Sequence, residues 1–225
     1  MPGESALIAA EGVGYTFPDG VVALDTVDLR VAAGERVALI GANGAGKSTL
    51  LLALAELLPV AGKVSRDPGC RVAIVFQDPD DQLFMPSVID EVAFAPLNRG
   101  VAKEEARDRS LAALERFDLG GLEDRHPSAL SLGQRKRLCL AVAMAMEPGL
   151  LLLDEPFAGL DPAGCRDLAG WLRSLDTGFV LATHNLPLAA ELTARCVTLA
   201  GGRVGAEGPT AEIVADATTL RALGL

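Results

Sequence analysis

Apolar and polar positions change period several times along the chain, and each change marks a different kind of element. Near the start, short and roughly alternating runs such as Leu7–Phe17 and Thr26–Val31 are broken at Pro18-Asp19-Gly20 and Ala33-Gly34. Period-two alternation between turn residues predicts antiparallel strands. "RVALIGANGAGKSTLLLALAELL", Arg36–Leu58, then reads as an apolar strand, a glycine-rich loop and a helix ending before Pro59. "CRVAIVF", Cys70–Phe76, predicts another buried strand. The spacing turns helical over Ser87–Leu97, Ala102–Phe117 and Ser131–Glu147, with Gly and Pro between the segments.

Strands and helices alternate after that. "LLLLDEP" (Leu150–Pro156) is followed by a helix over Pro162–Leu175, "GFVLAT" (Gly178–Thr183) by one over Leu186–Thr193, and "CVTLA" (Cys196–Ala200) by a hairpin turn at "AGGRVG". Such alternation predicts a mostly parallel sheet with helices on its faces. The fold class expected is therefore α/β with an N-terminal antiparallel β portion. One domain over residues 1–225 carries a helical subdomain inserted at about 85–147.

Charge narrows the partners. With a net charge of −10 and a pI near 4.7, the surface repels a phosphate backbone, so no nucleic-acid partner is expected. Any anionic ligand must be held locally, by backbone amides and a few placed cations. The longest wholly apolar run, Leu138–Met146, is nine residues, too short to cross a bilayer. No signal peptide is visible, and a cytoplasmic protein is expected. Cys70, Cys139, Cys165 and Cys196 lie far apart without CxxC spacing and read as small core residues.

"GANGAGKST", Gly41–Thr49, fits GxxxxGK[ST] between a predicted strand and helix, the context of a phosphate loop. Its glycines let successive N–H groups face phosphates, and the helix N-terminus adds partial positive charge. Lys47 supplies a cation for the β- and γ-phosphates, and the Ser48 hydroxyl can ligate Mg²⁺. At the end of "LLLLDEP", Asp154 can hold Mg²⁺ and Glu155 can orient or deprotonate a water; alone, the two acids read equally as a strand's exit. "LSLGQRKR", Leu130–Arg137, contains a capping box at Ser131 and Gln134, and the same geometry makes an anion site. The basic trio Arg135–Arg137 reads as a solvated helix face, with support of the nearby anion site as the alternative.

Together these pieces resemble the ATPase subunit of an ABC transporter. "LSLGQ" is similar to that family's LSGGQ signature, and "AGLDP" (Ala158–Pro162) resembles its D-loop. The resemblance implies a phosphate-loop ABC ATPase fold that binds ATP and Mg²⁺. Nucleotide contacts fall on Tyr15, Gly41, Asn43, Gly44, Gly46, Lys47, Ser48, Thr49 and Asp161, with Tyr15 stacked on adenine. Gln77 matches the glutamine that senses Mg²⁺ and the γ-phosphate, and His184 the histidine that contacts the γ-phosphate; both join Glu155 in catalysis. Ser131, Gly133 and Gln134 then serve ATP bound to a second subunit, so that two chains pair head to tail, a homodimer sufficing. Leu132 in place of the usual Gly, and Asn185 where Asp is frequent, depart from the pattern without removing a catalytic group.

"VFQDPDDQLF", Val75–Phe84, and "DEVAFAPLN", Asp90–Asn98, are similar to the ATPases of energy-coupling-factor importers for cobalt, nickel and vitamins such as biotin. The resemblance implies a transmembrane coupling subunit and a substrate-binding membrane subunit as partners, at the cytoplasmic face of the membrane. Asp78, Asp80 and Asp81 are expected to meet arginines of the partner's helices, with Leu83, Phe84 and Met85 adding apolar contact. A solvated acidic turn is the alternative. A non-transport ABC ATPase acting on nucleic acid or ribosomes is the rival function; the acidic charge and the lack of long insertions weigh against it.

Overall fold

The computed structural model describes residues 6–225; the first five residues of the expected domain lie outside the described residues. The chain divides into two compact units. One takes in the chain up to Ile74 together with Gly149–Glu155 and Asp176–Leu225; the other holds Val75–Pro148 and Pro156–Leu175.

In the first unit, β1 (Ile8–Thr16) pairs antiparallel with β2 (Val22–Val31) and with β4 (Ala61–Arg66). A six-stranded sheet has the order β5 (Val72–Val75), β6 (Leu150–Asp154), β7 (Gly178–Ala182), β3 (Arg36–Ile40), β8 (Arg195–Ala200), β9 (Arg203–Pro209). β3 runs parallel to both β7 and β8, and β6 parallel to β7. β8 and β9 form an antiparallel hairpin with Ala200 opposite Arg203, as the "AGGRVG" pattern predicts. β4 was not expected: its "AGKVSR" is mostly exposed and carries no apolar period.

The alternation inside β3 explains the layering. Val37 and Leu39 join a core with Leu50, Leu51 and Leu54 of α1 (Lys47–Leu54) and with Ile8, Val27 and Leu29 of the antiparallel sheet. Ala38 and Ile40 point to the other face, against Ala189 of α6 (Leu186–Leu192), Ile213 of α7 (Thr210–Ala215) and Leu223 beyond α8 (Ala217–Ala222). A strand covered on both faces must be a continuous apolar run, and such strands pair in parallel. Cys139 and Cys196 are buried, and burial pushes both thiols up to about 12, so they pack as small apolar groups.

The second unit contains α2 (Val88–Asn98), α3 (Lys103–Arg116), α4 (Leu132–Ala145) and α5 (Pro162–Ser174). Their N-termini are fixed by short polar side chains: Ser87 caps α2, Ser131 caps α4 and Asp161 caps α5. Within this unit Phe117 packs against Trp171, centroids 6.3 Å apart.

One ion pair joins distant parts of the first unit. Arg195 donates to Glu35 through Nε at 2.6 Å and Nη2 at 3.0 Å, and its Nη2 also reaches the Arg30 carbonyl at 2.6 Å. Burial pushes the Glu35 carboxyl up, but the Arg195 fork and the Ala32 amide outweigh it and hold the group below its ordinary 4.5. A depressed carboxyl stabilises the fold above its unfolded pKa and loses that contribution as pH falls through the folded value. Glu35→Gln is expected to cost about 1–2 kcal/mol at pH 7, discounted for solvent screening. The cost should vanish well below pH 4.5 in pH-dependent urea melts.

Candidate functional site

In the first unit the loop between β3 and α1 is shaped by contacts that exclude side chains. A β-carbon on Gly41 would stand 2.3 Å from the Leu199 carbonyl oxygen, and one on Gly46 2.4 Å from that of Ala23. Gly46 also sits at φ 103, a conformation L residues avoid. Gly44 and Asn43 are exposed at the loop's crest, and Thr49 is buried in the first turn of α1.

Lys47 is buried, with its Nζ donating to the carbonyls of Gly41 at 2.7 Å and Ala42 at 3.1 Å. Glu155 Oε1 lies 4.0 Å from the same ammonium. Beside it, the Ser48 hydroxyl hydrogen-bonds Asp154. Burial pushes the Asp154 carboxyl above its ordinary value, and its Oδ1 has no protein hydrogen-bond partner. A buried carboxylate oxygen without a partner next to a hydroxyl is a hard-oxygen donor set suited to Mg²⁺.

Glu155 follows at φ 42, its amide donating to the Ala182 carbonyl at 2.9 Å. Its Oε2 accepts from the His184 amide at 3.3 Å and lies 2.9 Å from His184 Nδ1. Its Oε1 is buried without a hydrogen-bond partner. Thus one carboxylate oxygen is tied to His184 and the other lies beside the Lys47 ammonium. Asn185, the second departure from the pattern, caps α6 by accepting from the Leu188 amide at 3.2 Å.

Tyr15 lies on β1 opposite Leu24, whose Cδ2 would stand 3.2 Å from a Gly46 β-carbon. Tyr15 is half-buried against the core, whereas Phe17, edge-on to it at 5.2 Å, is exposed. Phe17, just past the end of β1, went unnoticed in the sequence, although it is the next aromatic after Tyr15.

In the second unit the capping box is complete. Ser131 Oγ accepts from the Gln134 amide at 3.3 Å, and Gln134 Oε1 accepts from the Ser131 amide at 2.9 Å. The hydroxyl proton of Ser131 therefore remains to donate to an anion. Gly133 follows in the first turn of α4. Asp161 accepts from the Gly164 amide at 2.7 Å. Gln77 is exposed, and its carbonyl takes a bond from Lys136 Nζ at 3.0 Å.

One expectation is corrected here. Arg135–Arg137 is no solvated face: Lys136 is buried, Arg135 bridges Asp80, and Arg137 reaches the Phe117 carbonyl at 3.2 Å while stacking over Trp171. Helical charges next to carbonyls and carboxylates of neighbouring segments are drawn inward by those acceptors. Asp80 is accordingly held by Arg135 of its own chain, and Asp78 caps the turn at Pro79–Asp81 by accepting from the Asp80 amide. Asp81 and Phe84 are exposed, and Phe84 meets Phe94 edge-on at 5.1 Å. Glu91 was overlooked. Buried on α2, it accepts from the amides of Phe84 and Met85, and an acid on the apolar stripe with Val88 and Val92 was its signal.

The sequence model of the ABC transporter family matches residues 24–158. The chain is 45% identical to the cobalt import ATP-binding protein CbiO of Rhodobacter capsulatus, over 97% of this chain and 84% of that one. It is 39% identical to the energy-coupling factor transporter ATP-binding protein EcfA of Methanothermobacter thermautotrophicus, over 97% and 76%. Among solved structures it resembles CbiO1 of Clostridium perfringens, part of the CbiONQ complex, with TM-score 0.82, 33% identity, and 98% and 95% coverage. A phosphate loop, a strand ending in two acids and a serine-led helix tip define an ATP-hydrolysing cassette. The chain belongs to the ABC transporter family, as an ATP-binding and ATP-hydrolysing subunit of the CbiO and EcfA type.

Because a methyl at position 46 has no space and the wrong φ, Gly46→Ala is expected to abolish fluorescent-ATP binding. It should also lower stability by about 1–3 kcal/mol, read by thermal melting.

Proposed function

We propose that this chain powers the import of a small nutrient through separate membrane subunits, with a cobalt or nickel ion favoured over biotin or another vitamin as cargo. The observation that carries the catalytic half is the Glu155 carboxylate, gripped on one oxygen by His184 and without a hydrogen-bond partner on the other. The likeness to CbiO and EcfA supports the transport half.

Lys47 releases loop carbonyls to take phosphate oxygens, while amides of Gly44, Gly46 and Ser48 line the cradle. Ser48 and Asp154 would hold Mg²⁺, which would offset phosphate charge, and Gln77 is the residue proposed to sense it. Glu155 Oε1 receives the proton of the attacking water, and His184 keeps the carboxylate oriented and contacts the terminal phosphoryl group. Tyr15 and Phe17 offer the aromatic surface for the base, the exposed ring of Phe17 being the better placed. Ser131, Gly133, Gln134 and Asp161 act on nucleotide held by a second copy, so ATP closes a homodimer and hydrolysis reopens it. Among the described residues no helix is long and apolar enough to cross a membrane, in keeping with a peripheral ATPase docked on a coupling subunit and a substrate-binding subunit at the cytoplasmic face.

Asp80 pairs with Arg135 yet stays largely exposed, so the groups offered to a basic amphipathic helix are Asp80, Asp81 and the Phe84–Phe94 pair, with Leu97 also exposed.

Glu155→Gln is expected to lower ATP turnover by at least a hundredfold while leaving ATP affinity within about threefold; equal turnover would remove Glu155 from its role. Asp81→Lys combined with Phe84→Ala should reduce co-purification of the membrane subunits from detergent extract several-fold without changing soluble ATP binding. Recovery of nucleic acid or ribosomes instead of membrane subunits would overturn the transport reading.

A further inference from the structure

Leu132 stands where the family's signature usually has glycine, and its side chain has a definite seat. A β-carbon on Gly159 would lie 2.9 Å from Leu132 Cδ2, so the leucine methyl occupies the space a side chain at 159 would need. The contact is returned. Leu160 Cδ2 lies 3.8 Å from where a Gly133 β-carbon would be, and 3.6 Å from that of Gly164. Each of the two segments thus places a leucine on a glycine of the other. Leu132 and Leu160 are both half-buried by this arrangement.

We propose that Leu132 is a positioning residue for hydrolysis: the reciprocal leucine-on-glycine seats clasp the serine-led helix tip and the Ala158–Asp161 loop into one body before nucleotide arrives. The proposal rests on the reading that Ser131 serves a nucleotide held by a second copy. The physical reason is preorganisation. The capping box fixes Ser131 relative to α4, and the Asp161 cap fixes its loop relative to α5. Neither cap fixes one segment relative to the other, and the interlocked leucines do. A hydroxyl that must meet a phosphoryl oxygen within a fraction of an ångström gains from neighbours whose freedom is already spent. Gly159 at φ 74 makes the seat, and Leu132 fills it.

The clasp predicts the opposite of what the family pattern suggests for this position. Restoring the usual residue with Leu132→Gly is expected to lower kcat for Mg-ATP hydrolysis fivefold or more. Affinity of the full-length chain for a fluorescent ATP analogue should stay within twofold, a split that loss of folding would not give. Leu132→Ala should behave likewise, whereas Leu132→Met, which still reaches the seat, should stay within twofold of the native kcat. Gly159→Ala should also lower kcat, and adding Leu132→Ala to it should cost less than the product of the two single losses, because both changes break the same contact. Native or higher turnover in Leu132→Gly, or single losses that simply multiply in the double variant, overturns the clasp. If Ser131→Ala leaves hydrolysis unchanged, the reading of the helix tip fails instead, and the clasp is then decided by thermal melting. A Gly159→Ala melting loss that shrinks on adding Leu132→Ala upholds it, and strictly additive losses overturn it.

Discussion

A buried ammonium sets the terms on which the rest of this molecule is built. Lys47 is out of water and surrounded by the carbonyls of Gly41 and Ala42 with Glu155 4.0 Å away. A charge in such a place needs compensation at every stage, because an unpaired buried ion costs several kcal/mol. The loop carbonyls and the nearby carboxylate supply it. The loop can curl this tightly only because Gly41 and Gly46 bring the backbone into contact with Leu199 and Ala23. Those two contacts tie the cradle to β8 and β2, and so to the core that α1 shares with both sheets.

Charge is also the key to the second unit. The chain carries 30 acids against 20 basic residues, yet the cations following the serine-led tip are not spread over the surface. Arg135 holds Asp80, Lys136 holds the Gln77 carbonyl, and Arg137 holds the end of α3 and stacks on Trp171. The residue before the acidic turn and the turn itself are thereby fastened to α4, whose tip carries Ser131. Glu91 fastens the other side by accepting from Phe84 and Met85, and burial pushes its carboxyl up despite those amides. The proposed docking patch and the serine-led tip thus belong to one hydrogen-bonded framework, a physical route by which docking and phosphate contact can bias each other.

The period changes placed α2, α3, α4 and the parallel strands to within a few residues, since each buries an apolar stripe or run, and α2 and α4 also begin at a serine cap. β4 escaped because an edge strand with one mostly wet face needs no apolar alternation. The terminal helices α7 and α8 are a turn or two long, too short to carry a period; α7 buries Thr210 and Ile213, whereas α8 buries none of its residues. At the site, Gly41–Ser48 and Asp154–Glu155 were legible because contiguous residues carry the chemistry. The pairs that misled were long-range: Asp80 with Arg135 is 55 positions apart, and neither residue names its partner. Glu91 was visible in principle, as an acid on an apolar face, and buried acids announce a nearby donor.

Glu155 shows how the fold holds a strained position in place. It has a backbone conformation, φ 42, that costs a non-glycine residue about 1 kcal/mol or more. That cost is offset locally, by the amide bond to the Ala182 carbonyl and by the grip of His184 on Oε2. The carboxylate is therefore oriented by groups of its own unit, with Oε2 on His184 and Oε1 4.0 Å from the Lys47 ammonium, so that the strained backbone, the strand end and the buried cation constrain one another.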